Sequence, residues 1–203
     1  MAKVLRSSLE NCTQYQLELL RIYRLYKPMN TIRQYSIDEV NQMNSETFID
    51  VFGSVFEHSP WAAEQAYANL PVASLRELQD SLCRAVLESS EKAQLGLLCA
   101  HPELGSKDKM ARASVHEQAA AGINRADEAR RSRMLELNQS YREKFDFPFI
   151  VAVKGLSPDD ILDNMQARIT NSRDDEFQEC LSQVMRIATF RIEALIQDSS
   201  CRE

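Results

Sequence analysis

Apolar residues recur at steps of three and four along most of this chain, with no repeated alternation of β-branched residues. Such steps place side chains on one face of an α-helix, whereas a half-buried strand needs steps of two. The most regular stretch is C-terminal: Phe177, Leu181, Val184, Ala188 and Leu195 predict a helix over about 174–198, packed on a core by one stripe. Further helices are predicted near 45–56, 89–99, 114–124 and 127–145. Ser74-Leu75-Arg76-Glu77 reads as a capping box, a hydroxyl and a carboxylate satisfying orphan amide donors. Ser157-Pro158-Asp159-Asp160 sets a cap, a first-turn proline and two acids at the positive end of a helix dipole. Ser59-Pro60 opens a helix through Trp61, Ala62, Ala63, Glu64 and Ala66. Only five glycines in 203 residues fit the same all-α reading.

Three places break this rhythm. Arg191 falls in the slot between Ala188 and Leu195, and an inward guanidinium needs a carboxylate, backbone oxygens or a bound anion. A snorkelling arginine or one end of a structural ion pair satisfies that need as well. The stretch Phe145-Asp146-Phe147-Pro148-Phe149-Ile150-Val151-Ala152-Val153-Lys154-Gly155 is apolar, interrupted by proline and ended by glycine. Its buried amides and carbonyls need partners that an all-helical domain cannot supply from a sheet, so a polar ligand or a hydrated turn is expected. Residues 1–33 carry a separate stripe (Cys12, Tyr15, Leu19, Ile22, Tyr23, Tyr26) closed by Lys27-Pro28 and polar residues, an appended helix and linker.

Composition narrows the class without reaching chemistry. Apolar residues make up 44% and charged residues 27%, which is globular rather than disordered. Twenty-four basic against 30 acidic residues give a net charge of −6, without the basic stripe a nucleic-acid or anionic-membrane surface requires. Apolar runs such as 147–153 fall far short of the roughly 20 residues that span a bilayer. Cys12, Cys83, Cys99, Cys180 and Cys201 are odd in number and scattered, unlike a disulfide framework. His58, His101 and His116 lie too far apart for a zinc motif, so no metal is expected. Lys3 and Arg6 are not followed by the apolar stretch of a signal peptide, and Cys201-Arg202-Glu203 is no peroxisomal tripeptide, which leaves the cytoplasm as the expected compartment.

Three clusters hold candidate chemistry. His101, in Cys99-Ala100-His101-Pro102-Glu103-Leu104-Gly105, is the best acid/base candidate, its backbone held extended by Pro102. A histidine satisfied at a helix C-terminus is the plainer alternative, and a Cys99–His101 nucleophilic pair is disfavoured because side chains two apart diverge. Ser114, Glu117 and Gln118 share one helix face, offering a hydroxyl, a carboxylate and an amide to a polar heterocycle. Ser114-x-x-Glu117 is equally a capping box, which would turn the carboxylate back on its own helix. His58 and Trp61, in Phe56-Glu57-His58-Ser59-Pro60-Trp61, line a cavity mouth or simply start a helix. No phosphate-loop, dinucleotide, serine-hydrolase or zinc-protease motif occurs.

Taken in order, these pieces resemble the 2-oxo-4-hydroxy-4-carboxy-5-ureidoimidazoline (OHCU) decarboxylase family of urate degradation. The resemblance rests on Phe52-Gly53 with His58-Ser59-Pro60-Trp61, then His101-Pro102-Glu103-Leu104, then Ser114-x-x-Glu117-Gln118 with Ala121-Gly122. It continues through Leu137-Asn138 with Tyr141, Lys144-Phe145-x-Phe147-Pro148-Phe149-Ile150 and Arg186-Ile187-Ala188-x-x-Arg191-Ile192, over about 36–196. Asp146 stands where the family usually has glycine, Gly105-Ser106 replaces its Ala-Gly, and the loop that follows is about four residues shorter than in animal members.

The resemblance implies an all-α, single-domain bundle of about eight to ten helices, expected over 34–198; residues 1–33 lie outside it and are expected as an appended helix and linker, and 199–203 as a tail. It implies a cofactor-free decarboxylase, usually a homodimer, that yields (S)-allantoin. His101 would be the proton donor, with Glu117 and Arg191 as the other catalytic residues. Pro102, the segment Ser114, Val115, His116 and Gln118, and the segment Phe149, Ile150, Val151, Ala152 and Val153 would bind substrate. The competing expectations are an inactive helical interaction module docking through residues 1–27, and an enzyme acting on a related ureido acid.

Overall fold

The computed structural model describes residues 33–105, 112–123 and 127–197. The expected N-terminal helix, the shortened loop after Ser106 and the tail 199–203 lie outside the described residues. Among the described residues there are nine helices and no strand: α1 Ile37–Asn41, α2 Ser45–Phe52, α3 Trp61–Tyr67, α4 Leu75–Leu87, α5 Glu91–Ala100, α6 Arg112–Ala120, α7 Glu128–Phe145, α8 Pro158–Arg168 and α9 Arg173–Leu195. The all-α expectation therefore holds. None of these helices is long and apolar enough to cross a membrane.

Local chemistry explains most of the boundaries. Ser36, Asn44, Ser90, Asp127, Ser157 and Ser172 cap α1, α2, α5, α7, α8 and α9, each accepting a first-turn backbone N–H. At α8 the box is complete, because Asp160 also reaches the Ser157 N–H. At α4 the Ser74 hydroxyl accepts from Glu77 N–H as expected, but the Glu77 carboxylate bonds the Ala73 N–H at 2.7 Å instead of the cap residue itself. Ser59 does not cap α3; Pro60 holds that position, with no side-chain bond. Asp146 ends α7 at φ +65°, a left-handed cap that glycine fills most easily and Asp tolerates. That geometry explains why glycine is usual there and why aspartate still fits.

Helix α9 is the axis of the molecule, packing on α4, α5 and α7, while α2 packs on α3, α3 on α4 and α7 on α8. Its apolar stripe buries Phe177, Leu181, Val184 and Ala188. A second buried stripe runs beside it: Glu176, Cys180, Gln183, Ile187 and Arg191, again at steps of four and three. Tyr141, Phe145, Phe147, Phe149 and Phe177 form an aromatic cluster of tilted, edge-on and stacked pairs between α7, α9 and the 145–155 segment. Each fully buried ring contributes about 1.5–3 kcal/mol.

The 145–155 segment is irregular, and its polar groups are met by the second stripe of α9 and the end of α8. Arg168 donates to Ile150 O at 2.9 Å and Gln183 Oε1 accepts from Ala152 N–H at 3.0 Å. The expectation of a ligand or a hydrated turn is corrected at these two residues: side chains supply the bonds. Helix α2 stops at Phe52, four residues before the predicted end, and 53–60 continue as turns. This early stop carries Val55 O and the Glu57 side chain into the interior, with Glu57 only 3% exposed.

Candidate active site

Arg191 lies on the buried face of α9, four residues before its end, and its charge is answered from one other helix, α6, and from the turn after α2. Its Nε donates to Glu117 Oε1 and one terminal nitrogen to Glu117 Oε2, both at 2.8 Å, a bidentate fork. The same terminal nitrogen donates to Ser114 Oγ at 2.9 Å; the other donates to Val55 O at 3.1 Å and Glu57 Oε2 at 3.4 Å. Ser114 Oγ in turn donates to Glu57 Oε2. Two carboxyl groups thus surround one guanidinium, whose side chain is 6% exposed. Isolated, such a charge would cost several kcal/mol; ringed by acceptors, it is held in one orientation.

This geometry decides two alternatives left open by the sequence. Helix α6 begins at Arg112, so Ser114 lies inside it and Ser114-x-x-Glu117 is not a capping box. Arg191 is one end of a buried ion pair, not a snorkelling surface residue. Glu57, which pattern reading passed over in favour of His58 and Trp61, is the unforeseen member of the cluster. Its signal was indirect: a lone acid in an otherwise apolar turn, Val55-Phe56-Glu57.

His101 follows α5 in the extended form that Pro102 imposes (φ −73°, ψ 132°). Burial pushes its imidazole down to about 4, and the Arg191 charge acts in the same direction, against the raising effect of Glu57 and Glu117. All three charged members of the cluster therefore act on His101, which is neutral at pH 7. The loop beyond it is pinned from two helices: Gln118 Oε1 accepts from Gly105 N–H at 3.0 Å and Asn138 Nδ2 donates to Leu104 O at 2.9 Å. The Cys99 thiol points elsewhere, 3.6 Å from Asp146 O.

A cavity of about 320 Å³ lies against this cluster. Glu117, His116, Ala120 and Ala121 of α6 and the turn after it form one wall. Ala152, Val153, Lys154 and Gly155 form a second, and Ile187 with Phe190 of α9 the floor. Glu117 connects the two features, its side chain 31% exposed while its oxygens hold Arg191. Of the residues the resemblance points to, Glu117, His116, Ala152 and Val153 line the cavity. Arg191 and Ser114 stand behind Glu117. Gln118 is used to hold the His101 loop, Val115 is 43% exposed, and Phe149, Ile150 and Val151 are packed in the core. His101 and Pro102 lie outside the cavity lining, half-buried at the end of α5.

A buried carboxyl–guanidinium cluster beside a small cavity, with a neutral imidazole under the same charges, can hydrogen-bond a polar molecule and exchange protons with it. The chain belongs to the OHCU decarboxylase family, whose pattern it matches over residues 41–193. It is 39% identical over 161 residues to the 2-oxo-4-hydroxy-4-carboxy-5-ureidoimidazoline decarboxylase of Haloferax volcanii, covering 79% of this chain and 96% of that one. Its fold is similar to a crystal structure of (S)-allantoin synthase, with a TM-score of 0.68 and 26% identity over 81% of this chain and 55% of that longer chain. It is also similar to OHCU decarboxylase crystallised in the presence of (S)-allantoin, with a TM-score of 0.60 and 19% identity over 77% of this chain and all of that one.

Proposed function

We propose that this protein decarboxylates OHCU to (S)-allantoin without a cofactor, at Glu117, where the cavity wall meets the charged cluster that also acts on His101. Family membership supports the reaction. The observation that carries the site is Glu117, fixed on the cavity wall by Arg191 while a neutral His101 stands under the same charges. The inactive-module reading finds no comparable support.

The substrate's ring carbon 4 bears both the hydroxyl and the carboxylate, next to a carbon–nitrogen double bond. When the carbon–carboxylate bond breaks, CO₂ leaves and the electron pair passes into that double bond, onto nitrogen. The nitrogen takes one proton from solvent, leaving an enol. The ring is thus its own electron sink, and no thiamine or pyridoxal is needed. A neutral imidazole then suits the remaining step: His101 takes the enol hydroxyl proton and returns one to the ureido-bearing carbon. Delivery to one face sets the configuration.

Each Glu117 oxygen gives one lone pair to Arg191 and keeps another for substrate N–H groups. The walls formed by Ala152, Val153 and Ile187 are apolar and pack against the ring. Within the same reading, Ser114 and Gln118 act by holding the cluster and the His101 loop, and the enzyme works as a cytoplasmic homodimer.

Freshly generated OHCU, followed by circular dichroism, tests the proposal. The protein should accelerate its loss and give a single enantiomer of allantoin. Decay at the spontaneous rate to a racemate would overturn it.

A further inference from the structure

Arg191 is poorly placed to receive the substrate's carboxylate. A guanidinium has five N–H donors. Here Nε serves Glu117, one terminal nitrogen serves Glu117 and Ser114, and the other serves Val55 O and Glu57. Its charge is already met by two carboxyl groups, and it lies behind the cavity wall, not on it. An anionic substrate entering next to Glu117 needs another cation.

Among the described residues that line the cavity, Lys154 is the one lysine or arginine. It occupies the corner of a turn closed by Leu156 N–H to Val153 O at 3.0 Å. Gly155 follows at φ +86°, the third position of a turn that calls for glycine. The Lys154 ammonium lies 4.3 Å from the centroid of the Phe190 ring, which is also part of the cavity floor. The aromatic face restrains the long side chain at the rim while leaving its donors accessible.

We propose that Lys154 anchors the carboxylate of the ureido-imidazoline substrate at the cavity rim and selects the acid over its neutral product. This rests on the decarboxylation reading above. A charged partner at the rim draws the carboxylate away from Glu117 and leaves the ring to the Glu117 oxygens and the apolar walls. Once CO₂ has left, Lys154 loses its partner and the neutral product is held less tightly, which favours release.

Lys154→Met keeps a flexible stem over Phe190 and removes the charge; Lys154→Arg keeps the charge. A charge-assisted hydrogen bond predicts that KM for OHCU rises about 10- to 100-fold in Lys154→Met. The turnover number should stay within about threefold, and Lys154→Arg should restore most of the affinity. In calorimetry, wild-type protein should bind hydantoin-5-acetate more tightly than hydantoin-5-acetamide, and Lys154→Met should lose that preference. Unchanged KM and unchanged preference in Lys154→Met, with or without a lower Tm, would overturn the anchoring role alone, making Lys154 a cover for Phe190. Wild-type protein that fails to turn over OHCU would overturn the decarboxylation reading and this inference with it.

Discussion

Two arginines are buried among the described residues, and they are used differently. Arg168, at the end of α8, bonds Glu176 through Nε at 3.0 Å and a terminal nitrogen at 2.5 Å, and Ile150 O at 2.9 Å. Tyr141 and Asn171 complete the coordination of Glu176, which is fully buried, and the Phe149 ring stacks on the guanidinium with its centroid 4.6 Å away. One carboxylate answers one guanidinium there. Around Arg191, two carboxyls answer one guanidinium, and one of them faces a cavity. The Arg168 centre ties α7, α8 and α9 to the irregular segment; the Arg191 centre holds a carboxylate on a cavity wall. Burial of charge therefore does not mark a site by itself, and the difference between the two centres is the hollow that Glu117 faces.

The sharpest break in this comparison is the neighbour that only the Arg191 centre has. His101→Asn should lower the turnover number by about 10²- to 10⁴-fold, as loss of an acid–base group does, while Tm changes by only a few degrees. Circular dichroism of the product and of the protein measures both; wild-type turnover would remove His101 from the chemistry.

Methionine at each arginine compares the centres directly. Arg168→Met and Arg191→Met should each cost about 3–5 kcal/mol in urea denaturation, because each strands a buried carboxyl. Per folded molecule, Arg191→Met should lose at least about 100-fold in kcat/KM, or roughly 2.7 kcal/mol of transition-state stabilisation, and Arg168→Met less than about tenfold. Equal activity losses would mean that the two centres are not functionally distinct.

Acid separates them more gently. His101 is lowered from 6.5 to about 4 in the fold, so between these values the unfolded chain binds a proton that the native chain does not. Stability should therefore be complete above about pH 6.5 and fall by roughly a few kcal/mol as pH drops through 4. His101→Asn should flatten that part of the stability–pH curve; an unchanged curve would place the proton uptake elsewhere. The smallest expected effect is Ser114→Ala, which removes one bond to Arg191 and one to Glu57 and should cost about 1–3 kcal/mol. A loss beyond that range would make the hydroxyl central to the cluster.

How much of this could be read from the chain differs between the two centres. Arg191 stood out because it interrupted an apolar stripe, and His101, Ser114 and Glu117 because their neighbours fixed a turn or a shared helix face. Arg168 and Glu176 drew no attention, since a charge near a helix end looks solvated in sequence. The second stripe of α9 was legible in principle: Glu176, Cys180, Gln183 and Arg191 keep helical spacing. Reading it required knowing that α9 is covered on two faces, and amphipathic patterning assumes one. Glu57 gave only the indirect signal of a lone acid in an apolar turn; Gly53 marks the early end of α2, but which way the following turn faces is set by packing.

The sequence alone determined the all-α class, most of the helices and the caps of α4 and α8, because spacing and capping act over a few neighbouring residues, while the family was legible as an ordered set of matching motifs. Tertiary structure decided which carboxyl groups met Arg191, that the polar groups of Ile150 and Ala152 would be answered by side chains, and that Glu117 would face a hollow. Those outcomes depend on residues up to 136 positions apart being brought within hydrogen-bond reach, as Val55 and Arg191 are. Hydrophobic packing fixes such distances for the whole domain at once, and no local pattern along the chain encodes them.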